Sequence, residues 1–217
     1  MTELLTFSPI EAMDAAFAGA PAHVIDGRGA AEPLAVHMWT NDASSVDRAL
    51  FVQPCTGPTV DVGCGPGRLT EALVRSSVHA MGVDISAEAV RQTRGRGAAA
   101  ICRDVFAHMP GAGLWEHALL ADGNVGIGGD PVRLLSRVHD LVQPGGTIIA
   151  ELAGPGIGVV REHVRLRVGE RLSGPFAWAQ VGIEAIGEVA GAAGLRVREL
   201  RCVAGRYVAV LTHFDRG

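Results

Sequence analysis

Apolar and polar positions alternate in a regular way through the middle of the chain. Between Pro58 and Glu151, short apolar runs alternate with segments in which apolar residues recur at helical spacing. The short runs predict five strands, at residues 59–62, 80–83, 99–102, 118–121 and 147–150. The helical spacing predicts helices near residues 69, 87 and 132. Strands that alternate with helices are typical of a parallel sheet with helices on both faces, so we expect an α/β fold.

The segment before this alternation has a different pattern. Ser8-Pro9-Ile10-Glu11 is a capping box with proline at the first helical position, which predicts that a helix begins there. Met13 and Phe17 continue the apolar face of this helix, and a second amphipathic run follows at residues 46–50. We therefore expect residues 1–55 to form a helical cap that belongs to the same domain as residues 56–217.

Strands are predicted again near the end of the chain. The runs 195–203 and 207–211, joined by the short turn Ala204-Gly205-Arg206, predict an antiparallel hairpin. Another strand is predicted over residues 159–168, where basic and apolar residues alternate. Its basic face carries Arg161, His163, Arg165 and Arg167. We expect the apolar face to pack inward, whereas the basic face either meets solvent or lines the entrance to a binding site.

Composition narrows the classes of function. With 217 residues, 48% of them hydrophobic, the chain is long enough for one α/β domain with a sizeable core. A formal net charge of −4 gives no basic surface for phosphates, so no nucleic-acid partner is expected. The 19 residues counted as Lys and Arg are all Arg. This excludes the lysine-dependent chemistry of pyridoxal enzymes and Walker-type nucleotide hydrolases, and it is typical of a GC-rich bacterial genome.

The cysteines indicate a reducing compartment. Cys55, Cys64, Cys102 and Cys202 form none of the close pairs that mark zinc sites or redox disulfides, so no metal is expected. The first residues lack the pattern of an export signal, and no stretch approaches the roughly 18 apolar residues of a membrane span. We therefore expect a cytoplasmic protein without a membrane partner. The sequence leaves its oligomeric state open.

The best candidate for a ligand site is the loop after the first strand of the alternation. In an open parallel sheet, ligands bind beyond the carboxyl ends of the strands. Here the run from Asp61 to Arg68 reads D-V-G-C-G-P-G-R, with glycines at 63, 65 and 67 that let the backbone turn sharply and approach a ligand. The small side chain of Cys64 also permits close approach. Gly63, Cys64, Gly65 and Gly67 are therefore candidate ligand contacts.

Details of this loop disfavour a dinucleotide. The dinucleotide pattern G-x-G-x-x-G would need glycine where the chain has Arg68. Pro66 lacks the backbone N–H that a pyrophosphate would use, and Asp61 places a carboxylate beside the loop. These residues suit S-adenosylmethionine (SAM), which carries an ammonium and a sulfonium group. The N-terminus of the following helix can still receive the carboxylate of SAM.

Acids also follow the next two strands. Asp84 ends the strand at residues 80–83, where its carboxylate can accept hydrogen bonds from both ribose hydroxyls, and Ile85 beside it is a further candidate contact. Asp104 follows the third strand and can accept a hydrogen bond from the adenine amino group, while Val105 lies against the adenine ring.

In this order the motifs resemble those of the class I SAM-dependent methyltransferases, over roughly residues 55–211. The fourth motif is Leu120-Ala121-Asp122-Gly123-Asn124, and residues 141–147, L-V-Q-P-G-G-T, resemble the family's turn into the fifth strand. The resemblance implies a Rossmann-like, mostly parallel sheet of seven strands whose last strand is antiparallel. It also implies a methyltransferase that uses SAM, yields S-adenosylhomocysteine (SAH), and binds the cofactor through Asp122 and Gly123 as well.

The fourth motif also limits the acceptor. Family members that methylate adenine or glutamine amides carry Asn or Asp followed by two prolines and an aromatic residue there, and Asp122-Gly123-Asn124-Val125 does not match. A small-molecule acceptor is therefore expected, with Asn124 as a candidate contact and bacterial secondary metabolism as the setting.

Basic residues outside these motifs are the other acceptor candidates. Arg161 and Arg165 would contact the acceptor if the basic face lines the entrance, in which case the acceptor is anionic. If the acceptor is a hydroxyl, His37 or His163 is the candidate general base.

Two other functions stay open on the sequence alone. A non-catalytic SAM-binding or partner-binding module would keep the fold without a working acceptor site. A nicotinamide-dependent oxidoreductase would share the ribose acid at Asp84 but is disfavoured by Asp61, Pro66 and Arg68.

Overall fold

The computed structural model describes residues 6–214. Its strands, in chain order, are β1 (Thr6–Phe7), β2 (Ala22–Ile25), β3 (Ala31–Pro33), β4 (Thr59–Val62), β5 (Ala80–Asp84), β6 (Ala99–Cys102), β7 (Trp115–Leu120), β8 (Val142–Leu152), β9 (Val159–Val168), β10 (Arg171–Ser173), β11 (Phe176–Val181), β12 (Leu195–Val203) and β13 (Arg206–His213). Its helices are α1 (Pro9–Phe17), α2 (Val36–Thr40), α3 (Ser45–Asp47), α4 (Arg68–Arg75), α5 (Ala87–Gly95), α6 (Pro131–His139) and α7 (Ile186–Ala192). A π-helical turn, Arg48–Val52, continues α3, and a 3₁₀ segment, Asn124–Gly129, precedes α6.

The main sheet has seven strands in the order β12-β13-β8-β7-β4-β5-β6. The strands from β8 to β6 are parallel to one another, and β13 runs antiparallel between β8 and β12. The predicted α/β fold with an antiparallel last strand is therefore confirmed. The terminal hairpin turns through Ala204 and Gly205, whose φ angles of 51° and 79° match the type I′ turn that suits the twist of antiparallel strands.

Helices bury both faces of this sheet. On one face, α6 and α7 contribute Leu134, Leu135 and Ile186 to a large apolar cluster. On the other face, α4 and the π-helical turn contribute Leu73 and Phe51 to a second cluster. The parallel strands bury side chains on both sides, which leaves their carboxyl ends as the edge at which polar loops can meet a ligand. No helix within residues 6–214 is long and apolar enough to cross a membrane.

A second sheet joins two segments that are far apart in sequence. It has six strands: β2 of the N-terminal segment pairs with β9, β3 pairs with β2, and β10 and β11 pair with the other edge of β9. The expectation of a purely helical segment up to residue 55 is wrong over β2 and β3. Four-residue and three-residue strands are too short to show a period of their own, and β2 is held by its pairing with β9.

We call residues 159–181, which contain β9, β10 and β11, the arm. The predicted strand at residues 159–168 is confirmed by β9; Val164 and Leu166 are buried as expected, but Val160, which was expected to pack inward with them, is 40% exposed. Its basic face carries the four residues Arg161, His163, Arg165 and Arg167. The opposite face, here the mixed face, carries Val160, Glu162, Val164, Leu166 and Val168.

Each face of the arm is covered over only part of its length. On the mixed face, Leu166 packs in a cluster with Ala12 of α1, and Met13 and Phe176 pack against that cluster. On the basic face, Ala177 pairs directly with His163 and lies against the 3₁₀ segment, because a Cβ added to Gly129 would stand 2.6 Å from the Ala177 Cβ. The arm therefore stands between α1 on one side and the 3₁₀ segment on the other.

Candidate functional site

The loop after β4 is held in a backbone conformation that requires glycine. Gly63, Gly65 and Gly67 have φ angles of 71°, 53° and 87°, a region that side-chain-bearing residues rarely adopt. Space is also restricted, because a Cβ at Gly63 would lie 2.6 Å from Asn124 Nδ2 and one at Gly67 would lie 2.5 Å from Thr93 Oγ1. The loop is therefore a tight cradle at the carboxyl end of the central strand.

Two side chains support this loop from the protein side. The Asn124 amide donates to the carbonyl oxygens of Val62 and Gly63, at 3.0 and 2.9 Å, so its nitrogen is already engaged in holding the loop. Asp61 lies beneath the loop, 2% exposed, and accepts a 2.7 Å hydrogen bond from Thr70. Burial raises the pKa of Asp61 from 3.8 to about 6, against the lowering effect of Thr70.

The acid after β5 faces the same loop. The Asp84 carboxylate accepts hydrogen bonds from the backbone N–H groups of Gly65 at 2.9 Å and Ser86 at 2.8 Å. Burial raises the pKa of Asp84, while these N–H donors lower it. Cys64 is buried against β5, since a Cβ at Gly82 would lie 2.6 Å from its sulfur. Burial raises the pKa of the Cys64 thiol, so this cysteine packs the loop as a neutral group.

The rim of the site continues past β6. Ile85 is 48% exposed, and Asp104 is exposed with its carboxylate accepting from the Phe106 N–H at 2.9 Å. Val105, by contrast, is 5% exposed and belongs to the main core. The apolar side chain displayed at this rim is therefore Ile85, and Val105 lies beneath it in the protein interior.

An ionic cluster forms the floor beside the loop, where β7, β8 and β13 meet. Arg68 forms ion pairs with Asp47 and, at 2.6 Å, with Asp122. Arg206 binds Asp47 at 2.6 Å and Glu151 at 2.7 Å. Asp122 has a φ of 52° and donates its own N–H to Glu151 at 2.7 Å. Three other segments of the chain thus hold Asp122 in place through Arg68, Arg206 and Glu151, with Gly123 next to it at a φ of 80°.

Burial and charge act in opposite directions within this cluster. Burial raises the pKa of Asp47, but hydrogen bonds from Arg68 and Arg206 outweigh it and hold that pKa well below its usual range. Asp122 shows the reverse balance, because burial raises its pKa more than Arg68 lowers it. With three acids and two arginines, the cluster has an excess of negative charge next to the glycine loop.

The N-terminal segment covers the loop from above. A Cβ at Gly65 would lie 3.8 Å from the Phe17 ring at the end of α1, and Phe17 packs edge-on against Trp39 of α2 at 6.2 Å between ring centroids. Asp14 of α1 accepts from the Ser86 hydroxyl and, at 3.1 Å, from the Glu88 N–H at the start of α5. The roof is therefore fastened to the same turn that carries Asp84.

The basic candidates lie elsewhere. His37 is exposed on α2, and His163 is exposed on the basic face of β9. Within residues 6–214, no hydrogen bond orients either imidazole. Arg161 and Arg165 share the face of β9 that is turned toward the 3₁₀ segment, opposite α1. The structure thus groups the predicted acids and glycines, but it does not group these four side chains with them.

Several site residues had no recognisable signal in the sequence. Arg68 follows the last loop glycine directly, yet nothing local reveals that it is buried between two carboxylates. Asp47, Glu151 and Arg206 come from three other segments and meet only in the folded chain. For Phe17, the sequence predicts only that its apolar stripe belongs to a cap that docks over the cofactor; the contact with Gly65 comes from the structure.

The described residues fit SAM. The glycine loop turns tightly at the carboxyl end of the central strand, Asp84 and Asp104 stand at successive strand ends, and acids outnumber bases around the loop, as a ligand with a positive sulfonium requires. Within residues 6–214, no three side chains form a set that could hold a metal ion.

Comparisons with known proteins agree with this geometry. Residues 59–146 match the family model described as a methyltransferase domain. This match spans the glycine loop, the acids at 84, 104 and 122, and the turn into β8. No curated protein matches the chain.

Solved structures share the fold. A SAM-dependent methyltransferase from Bacteroides fragilis, solved with SAH, is 20% identical, with a TM-score of 0.80 over 98% of this chain and 98% of its own. A glycopeptide N-methyltransferase in complex with SAM is 12% identical, with a TM-score of 0.62 over 79% of this chain and 94% of its own. An O-methyltransferase from neocarzinostatin biosynthesis, solved with SAH and 1,4-dihydroxy-2-naphthoic acid, is 19% identical, with a TM-score of 0.61 over 82% of this chain and 55% of its own. At these identities the likeness is one of fold.

Proposed function

We propose that this SAM-dependent methyltransferase, whose residues 59–146 form a class I methyltransferase domain, transfers the methyl group to a small molecule. The observation that carries the proposal is the roof over the carboxyl edge of the main sheet. Phe17 of α1 lies against the glycine loop, and the arm rises beside it. A covered edge favours a compact acceptor over a folded protein or a duplex.

The cofactor-binding roles follow from what each residue presents. Asp84 offers its carboxylate to the ribose, Asp104 and Ile85 border the adenine side, and the glycine loop approaches the methionine part. Asn124 and Asp61 hold the loop from behind. When bound, SAM supplies an electrophilic methyl group on a positively charged sulfur.

The protein's own contribution to the reaction is to position and desolvate the acceptor. Methyl transfer is an in-line displacement, so holding the acceptor in line and excluding water supplies much of the acceleration. The roof of α1 and α2 excludes water, with Phe17 and Trp39 as its apolar lining. No general base is assigned, since neither His37 nor His163 is oriented by a hydrogen bond within residues 6–214.

The fold neighbours support the same class of acceptor. By their names, one acts on a glycopeptide, and one belongs to neocarzinostatin biosynthesis and was solved with 1,4-dihydroxy-2-naphthoic acid. They methylate nitrogen in one case and oxygen in the other, so they do not decide the acceptor atom. We extend the proposal to a role in the biosynthesis of specialised metabolites.

Methyl-labelled SAM and a fractionated cell extract test this proposal. We expect label to enter the fraction below about 1 kDa, and Asp84→Asn to reduce that labelling at limiting SAM. Label only in the protein or nucleic-acid fraction would overturn the small-molecule acceptor. Tight SAM binding by calorimetry without transfer to any fraction would instead favour a binding module.

A further inference from the structure

The lower half of the mixed face of the arm is not covered by α1. Near the tip of the arm, Val164 and Leu166 are buried under α1. Nearer the main sheet, Glu162 and its cross-strand partner Trp178 are half-buried, and Val160 and its partner Gln180 are exposed. An exposed fraction of 40% for Val160 is unusual beside a core strand. This part of the arm therefore presents an open surface.

The packing on both sides of the arm shows which parts of the molecule lie next to this surface. At the base of the arm, Val181 lies in the main core and Val159 packs against it, so the lower half starts at the carboxyl edge of the main sheet. Helix α1 contacts the upper mixed face at one end and reaches the glycine loop with Phe17 at the other. The open surface thus adjoins α1, whose Phe17 reaches the glycine loop, and the end of β8, from which the arm rises. On the opposite side, the 3₁₀ segment lies against Ala177.

Glu162 has an unusual environment for a half-buried carboxylate. Within residues 6–214, it makes no hydrogen bond and no ion pair. Directly paired residues of antiparallel strands place their side chains on the same face with Cβ atoms about 5 Å apart, so the Trp178 indole is its immediate neighbour. The two arginines of the floor are already bound to other carboxylates, Arg68 to two and Arg206 to three.

We propose that Glu162 and Trp178 bind a positively charged amine on the acceptor. A carboxylate forms a charge-assisted hydrogen bond with an ammonium group, and an indole face attracts a cation through its quadrupole. The two groups side by side on one face satisfy both interactions at once. An anionic acceptor would meet an unpaired carboxylate here. This inference rests on the proposed small-molecule function and adds the charge of the acceptor to it.

Two aromatic probes of similar size and opposite charge test the assignment. Phenethylamine and 3-phenylpropanoate are titrated, by saturation-transfer NMR, into the full chain saturated with SAH. We expect the amine to bind at least tenfold more tightly than the carboxylate. Glu162→Gln should weaken amine binding about tenfold and leave carboxylate binding unchanged or stronger. Trp178→Leu should weaken amine binding several-fold.

Glu170→Gln is the matched control, because Glu170 is an exposed carboxylate in the turn at the far end of the arm. It should leave the binding of both probes unchanged. Equal binding of the two probes, tighter carboxylate binding, absence of amine binding, or an unchanged amine affinity in Glu162→Gln overturns the assignment. Thermal unfolding of each variant verifies the fold. The extract experiment reports separately on the small-molecule function, since label in a small anionic product would keep that function and reject the amine.

Discussion

The carboxyl edge of the main sheet and the arm above it differ in whether their charged groups have partners within the protein. At the edge, Asp84 accepts two backbone N–H groups, and Asp122 is fixed by Arg68 and by its own N–H bond to Glu151. On the arm, neither Arg161 nor Glu162 makes an ion pair within residues 6–214. The cofactor half is therefore preorganised by the protein, and the arm keeps charges for solvent or for a ligand to satisfy.

The two faces of the arm differ in the charge of the acceptor that each would bind. The basic face would select an anionic acceptor and the mixed face a cationic one. The packing favours the mixed face, because α1 leads from it to the glycine loop, whereas the basic face meets the 3₁₀ segment, whose Asn124 already uses its amide nitrogen to hold that loop. A charged stripe that is conspicuous in sequence is thus not the surface that we assign to the acceptor.

The largest effect on stability is expected when an arginine of the floor is replaced by methionine, compared with the same replacement on the arm. Arg68 is 6% exposed, and Arg68→Met leaves Asp122 without its closest cation and Asp47 with one arginine instead of two. Removing one partner from a buried ion pair costs about 3 to 5 kcal/mol of folding free energy. Arg161→Met on the exposed basic face should change stability by less than about 0.5 kcal/mol. Urea unfolding measures both, and similar losses in the two variants would remove the contrast.

The raised pKa of Asp61, in the cofactor half, predicts that the stability of the folded chain depends on pH. Its pKa is about 6 in the folded chain against 3.8 as the ordinary value, so its stabilising contribution is full below pH 4 and is lost as the pH rises through 6. Asp61→Asn does not titrate. The stability of this variant relative to the wild type should therefore rise by about 2 kcal/mol between pH 4.5 and pH 7.5.

Denaturant unfolding at these two pH values measures that difference. Glu170→Gln, at an exposed carboxylate in the turn at the far end of the arm, is measured alongside as the control. A pH-independent difference for Asp61→Asn would show that the buried carboxyl is already ionised at pH 4.5.

The ribose acid tests whether preorganisation matters for binding. Asp84→Asn keeps the size of the side chain but removes the charge that strengthens its hydrogen bonds. We expect the Kd for SAH to rise tenfold to a hundredfold, as for the loss of one or two charge-assisted bonds. Calorimetry on the folded variant gives this value directly. An unchanged Kd would take Asp84 out of the cofactor site.

The smallest effect is expected on the basic face. Arg161→Ala and Arg165→Ala should each change the acceptor KM by less than twofold, because this face is turned away from α1 and its arginines are not oriented by partners within residues 6–214. Losing one partner of a desolvated pair would instead raise KM at least tenfold. Steady-state kinetics at saturating SAM separate the two outcomes. A tenfold rise in the acceptor KM would indicate that the acceptor is anionic and binds the basic face.

The parts that the sequence predicted well are those encoded by neighbouring residues. Strands β4 and β6 have the predicted bounds, and the capping boxes and turn glycines mark helix starts and loops through local hydrogen bonds and allowed φ angles. The expectation of helices throughout residues 1–55 was wrong because β2 exists only through its pairing with β9. A strand held by a distant partner leaves little local pattern.

By itself, then, the sequence determined the α/β order, the glycine loop and the acids that follow β5, β6 and β7, since each depends on contacts within a few residues. The tertiary structure alone decided that Arg68, Asp122 and Arg206 form one ionic cluster, and that α1 packs on the Glu162 side of the arm. Both outcomes depend on which distant segments pack together, and hydrophobic periodicity carries no information about a segment's partner.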